Sequence, residues 1–243
     1  MAVEELADAY ADPDLGAFNL GFLEDGVQAI IGRVLGRPVR AGGTGAAVPK
    51  GGESFAGWYF CTTTDEHIGY ESWLERDRLI LLDADPQVAG VASQPFWLHW
   101  RRSTAPSSCP GLLRRLADGR GRVVDVRAAD RVDDAAAEAF AATGRACRAA
   151  GWEFARVGVP DPVLMANMRW LSRYRRRRCL RPESAAVLMD VFGEPGPLRA
   201  GAIRVGDPLG VLPVLFHLLW SGALATEVSA RLLGVLHATT RGL

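Results

Sequence analysis

The stretch GYESWLERDRLILLDADPQVAGVASQPFWLHW, residues 69–100, decides the fold class. In its first half Tyr70, Trp73, Leu74, Leu81 and Leu82 recur at spacings of three, four and seven, which predicts a helix over Tyr70–Asp83 with one apolar stripe. Asp85-Pro86 ends that helix, because a residue before proline is pushed out of the helical region. The second half reads as strands. Val88–Ser93 is one, and in Pro95–Arg101 the residues Phe96, Leu98 and Trp100 alternate with Trp97 and His99.

Outward from this stretch the same texture continues. Upstream, Gly57–Thr63 is a short aromatic strand built on Trp58, Tyr59 and Phe60. Downstream, Leu112–Ala117 and Arg122–Arg127 flank Asp118-Gly119, a strong hairpin turn signal. Asp133–Ala150 follows as an Ala-rich helix, Trp152–Gly158 as a strand, and Asp161–Tyr174 as a helix opened by the cap-and-first-turn pair Asp161-Pro162. A helix, several strands, a helix, a strand and a helix predict an α/β layer around a mixed sheet.

The ends read differently. Residues 1–56 are expected to be an irregular leader, with one helix candidate around Phe22–Leu35 and a Gly/Ala loop over Ala41–Gly52. Beyond the sheet region, Ser184–Val191, Pro208–Trp220 and Leu224–Leu236 read as short helices, a compact module able to hold a helix-turn-helix. The expected domains are therefore 1–56, 57–175 and 176–243.

Composition bounds the function. Among 243 residues, 49% are hydrophobic and 23% charged, too apolar for a disordered or collagen-like chain. The 28 basic and 28 acidic residues balance, which excludes a polycation that coats nucleic acid. The charge is nonetheless segregated. Residues 1–32 carry seven acids and no Lys or Arg, while residues 169–181 carry seven arginines and no acid. Any anion site is local. Lys50 is the one lysine, so arginine is the default cation here and a single arginine means little. The four cysteines are far apart with no Cys-x-x-Cys pair, so neither a zinc cluster nor a disulfide framework is expected. The acidic start lacks the basic and apolar regions of a signal peptide, and Gly210–Ala225, interrupted by Pro213, is too short to span a bilayer. The expectation is a reduced, cytoplasmic protein without a membrane partner.

Four constellations could carry chemistry. In Glu71-Ser72-Trp73-Leu74-Glu75 the two carboxylates lie four residues apart on one helix face. Either could point at the sheet; the alternative is a solvated face with ion pairs to Arg76 and Arg78. In Asp125-Val126-Arg127 the period of two puts the acid and the cation on one side of a strand. Such a pair can hold a divalent metal and steady a phosphate charge, or be an exposed strand face. Ser93-Gln94-Pro95 is a kink between strands. The run Arg173, Arg175, Arg176, Arg177 and Arg178 suits phosphate backbone contacts or a solvated linker. The four histidines show no ligand spacing, and Gly119-Arg120-Gly121 lacks the third glycine of a dinucleotide loop.

Together the stretches at 69–100, RLADGRGRVVDVR (115–127), PDPVLMANMRWLSRYR (160–175) and DPLGVLPVLFHLLWSGALA (207–225) resemble the TnsA-like heteromeric transposase endonuclease subunits of actinobacterial type. The resemblance covers nearly everything from about residue 50. It implies a restriction-endonuclease-like α/β core followed by a small winged-helix-like module. It implies a metal-dependent DNA endonuclease, partnered by duplex DNA, a transposase subunit and an ATPase regulator. By that resemblance Glu75 and Asp125 would bind Mg²⁺, and Arg127 would stand where the family has a Lys that steadies the transition state. One family element is missing. The aspartate of a Pro-Asp pair falls on Gly111 when counted back from Leu116-Ala117-Asp118-Gly119, and Pro106-Ser107 supplies no carboxylate either. The leading reading is a DNA-cutting endonuclease subunit. The alternative is a catalytically degenerate relative that binds DNA or a transposase; an unrelated transcriptional regulator is a third.

Overall fold

The computed structural model describes residues 18–22, 27–31, 56–95, 97–100, 111–127, 132–233 and 237–240. Two compact units form, one from 1–79 and 87–159, the other from 80–86 and 160–243.

In the first unit, strands β1 (Phe18–Phe22), β2 (Val27–Ile31) and β6 (Trp97–Trp100) make an antiparallel sheet in the order β1-β2-β6. The helix expected around Phe22–Leu35 is thus a strand in its described part, and residues 1–56 are not an irregular leader throughout. Val27, Ile30 and Ile31 are β-branched, stiff at χ1 and better suited to a pleated surface than to a helix. The loop expected over Ala41–Gly52 lies outside the described residues. A hairpin pairs β3 (Gly57–Cys61) with β4 (Glu66–Tyr70), and helix α1 (Trp73–Asp83) follows. The helix begins three residues later than its apolar stripe suggests, because Tyr70 closes the hairpin register opposite Gly57.

The sheet that positions the candidate site has four strands in the order β5-β7-β8-β9: β5 (Val88–Ser93), β7 (Leu112–Leu116), β8 (Gly121–Val126) and β9 (Glu153–Val157). Neighbours β5, β7 and β8 run antiparallel, and β9 runs parallel to β8. The sheet is therefore mixed, as the element order predicts. The parallel pair needs a crossover. It is supplied by α2 (Asp134–Ala149), whose cap residue Asp133 accepts from the Ala136 N–H at 2.8 Å. Between β7 and β8, Gly119 takes φ 86°, where a side chain would be strained, and its N–H donates to the Leu116 carbonyl. Leu112, Leu113, Val123 and Val124 are buried on both faces of the central strands, and Phe140 of α2 packs against Phe154 of β9.

The second unit contains α3 (Pro162–Leu171), α4 (Pro182–Val191), α5 (Leu198–Val205) and α6 (Pro208–Trp220), with the short strands β10 (Gly196–Pro197), β11 (Leu224–Ala225) and β12 (His237–Thr240). The strands pair antiparallel in the order β10-β12-β11. Leu188, Phe192, Leu198, Val214 and Leu215 form the core. In α5, a Cβ on Gly201 would fall 2.2 Å from Phe192 Cζ, so the buried ring packs directly on bare backbone. The helix expected over Leu224–Leu236 does not form in its described part. Its Val228 and Arg231 carbonyls and Leu233 N–H are bonded to buried Asn167, leaving none of the three for a helical ladder. Residues 234–236 of that expectation lie outside the described residues. No helix among the described residues is long and apolar enough to cross a membrane.

Candidate functional site

Ser72 caps α1. The Glu75 N–H donates to Ser72 Oγ at 3.2 Å, and Glu75 reaches back to accept the Glu71 N–H on Oε2 at 2.6 Å. This is a capping box with its return bond displaced one residue outward, so Ser-x-x-Glu already has a helix-starting role. Neither Arg76 nor Arg78 pairs with Glu75 among the described contacts. Arg76 bonds Asp77 at 3.1 Å and lies 4.1 Å over the Trp73 ring, while Arg78 donates to the Gly158 carbonyl at 2.6 Å.

The second oxygen of Glu75 is turned toward β7. A Cβ built on Gly111 would lie 3.4 Å from Glu75 Oε1, 3.7 Å from Val124 O and 3.8 Å from Val126 N. Gly111 precedes Leu112, whose register partner is Val124, so position 111 stands beside Asp125. Glu75 from the helix thus reaches the glycine that lies opposite Asp125 in the β7–β8 register, and the charges of the two acids act on each other. Gln94 closes the arrangement from the end of β5. Its N–H donates to the Gly111 carbonyl at 2.9 Å, and its side-chain amide donates to the Glu71 carboxylate. Gln94 holds φ 48°, a strained setting for a residue with a side chain and before a proline.

Burial penalises the charged form of both acids. It pushes Glu75 above the usual carboxylate range; the Glu71 N–H bond opposes the shift, and the charges of Glu71 and Asp125 add to it. Asp125, 8% exposed, is also raised by burial, and Arg127 and Arg156 pull it partly back. Arg127 lies one step beyond β8, where its N–H donates to the Val157 carbonyl at 3.0 Å. Its guanidinium carbon is 5.5 Å from the centre of the Phe140 ring. Arg156 is the in-register partner of Asp125 on β9, and its guanidinium carbon lies 5.4 Å from the same ring. Arg156 was not among the residues singled out from the sequence. Only its alternation with Phe154 in GWEFARV hinted that both face α2, and the pairing of β9 with β8 settles the neighbour.

No protein-family model matches the chain, and no curated protein matches it. The site must therefore be judged on its own chemistry. Among the described residues no group of three or more His, Cys, Asp or Glu side chains could share a metal ion. Mg²⁺ dehydrates reluctantly and needs well-placed carboxylate oxygens. Here one oxygen of Glu75 is committed to a backbone N–H, and Asp125 faces two guanidinium groups. That donor set does not fit Mg²⁺.

The arginine run belongs to the second unit. Arg173, Arg176, Arg177 and Arg178 are exposed, with Arg177 and Arg178 in a single 3₁₀ turn over Arg177–Cys179. Arg173 stacks 5.0 Å from the Trp170 ring. Arg175 is different: half-buried, it donates to the Ser172 carbonyl and helps close the end of α3. The buried His217 places Nδ1 2.8 Å from the Tyr174 carbonyl, a structural bond within the same unit.

Proposed function

We propose that this chain is a TnsA-like transposase endonuclease subunit whose nuclease site lacks one carboxylate, and that it holds duplex DNA without cutting it. Its partners on this reading are DNA, a transposase subunit and an ATPase regulator. The observation that carries the reading is Gly111. The position where the resemblance calls for an aspartate is bare, yet it lies against Glu75 and opposite Asp125 in the sheet register, the two acids that the same resemblance selects.

A restriction-endonuclease-like core is supported by the mixed four-stranded sheet with α1 leading into β5 and with the β8-α2-β9 crossover. A winged-helix-like module is supported by the order α4, β10, α5, α6, β11, β12 and the strand order β10-β12-β11. In this module α6, PLGVLPVLFHLLW, carries no arginine, and the densest exposed arginine cluster is the one that precedes α4.

The test is nicking of supercoiled plasmid in Mg²⁺ or Mn²⁺, with and without the partner transposase. The unaltered chain should leave the plasmid intact, and Gly111→Asp should produce nicks. Robust cutting by the unaltered chain would overturn the degenerate reading. No cutting by either form, with DNA binding retained, would favour a binding module with no nuclease site to restore.

A further inference from the structure

We infer that Arg127 and Arg156 together form a clamp for one phosphodiester of the DNA backbone, and that the clamp works without a metal ion. The inference rests on the DNA-binding reading above and assigns to that site a residue, Arg156, with no place in it so far.

Strands β8 and β9 carry two in-register pairs of opposite charge, and the two behave differently. Arg122 pairs with Glu153 and closes into an ion pair, to which Arg120 also contributes at 3.2 Å. Asp125 pairs with Arg156 in the same register, yet no ion pair forms between them among the described residues. The Arg156 guanidinium instead lies against Phe140. Arg127, two residues beyond Asp125 and therefore on its face of the strand, stacks against the same ring. Two cations are thus gathered at one aromatic platform, at 5.4 and 5.5 Å from its centre, with exposed side chains.

Phe140 is buried and packs against Phe154, ring centres 6.5 Å apart. Stacking restricts the long arginine side chains before any ligand arrives, so less freedom is lost when a phosphate binds. Guanidinium forks match phosphate oxygens two at a time, which a lone ammonium cannot do. Asp125 is buried, and its charge acts on both cations with no ion pair to either among the described residues. An arriving phosphodiester would take the open side of both forks. Two exposed guanidinium groups gathered at one ring carry one more positive charge than the single carboxylate of Asp125 near them, and an arriving anion balances it.

The experiment is fluorescence anisotropy of the full chain on a labelled duplex in EDTA, across a series of KCl concentrations. Arg127→Ala and Arg156→Ala should each weaken binding by about three- to tenfold and lower the slope of log affinity against log salt by about one. The double variant should lose less than the product of the single losses, because both arginines hold the same phosphate. Arg156→Lys, which keeps the charge and loses the fork, should recover only part of the affinity. An unchanged slope for Arg156→Ala would sink the clamp, and so would a double variant whose loss equals the product. Inorganic phosphate at matched ionic strength should displace duplex no better than chloride; displacement that disappears in the double variant would assign the pair to free phosphate instead. Failure here with cutting gained by Gly111→Asp would remove the clamp and leave the nuclease-derived reading standing. Absence of duplex binding by the unaltered chain would overturn both.

Discussion

Glu75 Oε1 lies 3.4 Å from the point where a side chain would begin at Gly111. That is ordinary van der Waals distance, so a Cβ fits, and Gly111→Ala should be neutral or stabilising by about 0.4–1 kcal/mol through the unfolded chain. A carboxylate there would be the third in one place. Gly111→Asp should therefore melt below the unaltered protein in EDTA, since like charges at short range oppose ionisation and folding. Adding Mg²⁺ should restore the loss, because a ligand that binds only the folded state stabilises it by mass action. The unaltered chain should show no Mg²⁺-dependent rise. Melting curves of the three proteins with and without the ion check this; a Gly111→Asp variant indifferent to Mg²⁺ would show that the three positions do not form one cage.

The pH dependence of stability tests the burial of Asp125. Both Asp125 and Glu75 are raised chiefly by burial, so the folded chain keeps its protons to higher pH than the unfolded chain does. Between the ordinary carboxylate range and the raised values the unfolded state binds fewer protons, and stability falls as pH rises through that window. The cost grows as pH rises through that window and vanishes below the unfolded values. Asp125→Asn should accordingly melt above the unaltered protein at about pH 7 and lose that advantage at about pH 3, below the reference value for aspartate. A gain of equal size at both ends would place the effect in packing rather than in charge.

The sheet was legible because its signals are local. Asp118-Gly119 marks the β7–β8 turn, and Asp133 and Asp161 mark helix starts by accepting N–H bonds three residues on. The Gln94-Pro95 kink was legible as a break, but not the bond from Gln94 to the Gly111 carbonyl, which joins segments 17 residues apart through backbone atoms. The site was half legible. Glu75 and Asp125 stood out as acids in patterned positions, whereas Arg156 acquires meaning only from a parallel register that no local pattern encodes. The failures have physical reasons. Val27–Ile31 looked helical until β2 found partners on both sides, and the segment after Leu224 looked helical until Asn167 took its backbone groups. In both cases tertiary partners override a weak local preference.

The arginine run divides into two roles. Arg176, Arg177 and Arg178 are exposed, so replacing all three with Ala should weaken duplex binding at every sequence and lower the salt slope by about three. Arg175 donates to the Ser172 carbonyl, so Arg175→Ala should lower the melting temperature as well as the affinity. Anisotropy titrations over a salt series and melting curves separate the two effects. An unchanged slope in the triple variant would make the run a solvated linker.

Asn167 offers the sharpest test of the second unit. It is 2% exposed on α3. Its amide donates to the Val228 carbonyl at 2.8 Å and the Arg231 carbonyl at 2.7 Å, and its oxygen accepts the Leu233 N–H at 2.9 Å. One side chain thereby satisfies three backbone groups of a segment with no helix or long strand to satisfy them. Asn167→Leu keeps the branched side-chain skeleton and strands all three. Each buried orphan costs about 1–3 kcal/mol, and partial relaxation toward water should leave a net loss of about 2–4 kcal/mol. Asn167→Asp keeps the acceptor for Leu233 but turns a carboxylate oxygen toward two carbonyls, so it should be at least as damaging as Leu at neutral pH. Proteolysis should then open the chain between 224 and 233 first, because those backbone groups lose their buried partner. Urea unfolding and limited proteolysis of both variants give the answer. A loss below about 1 kcal/mol, with cleavage no faster than in the unaltered chain, would show that the segment is held by its apolar contacts and that the three bonds add little.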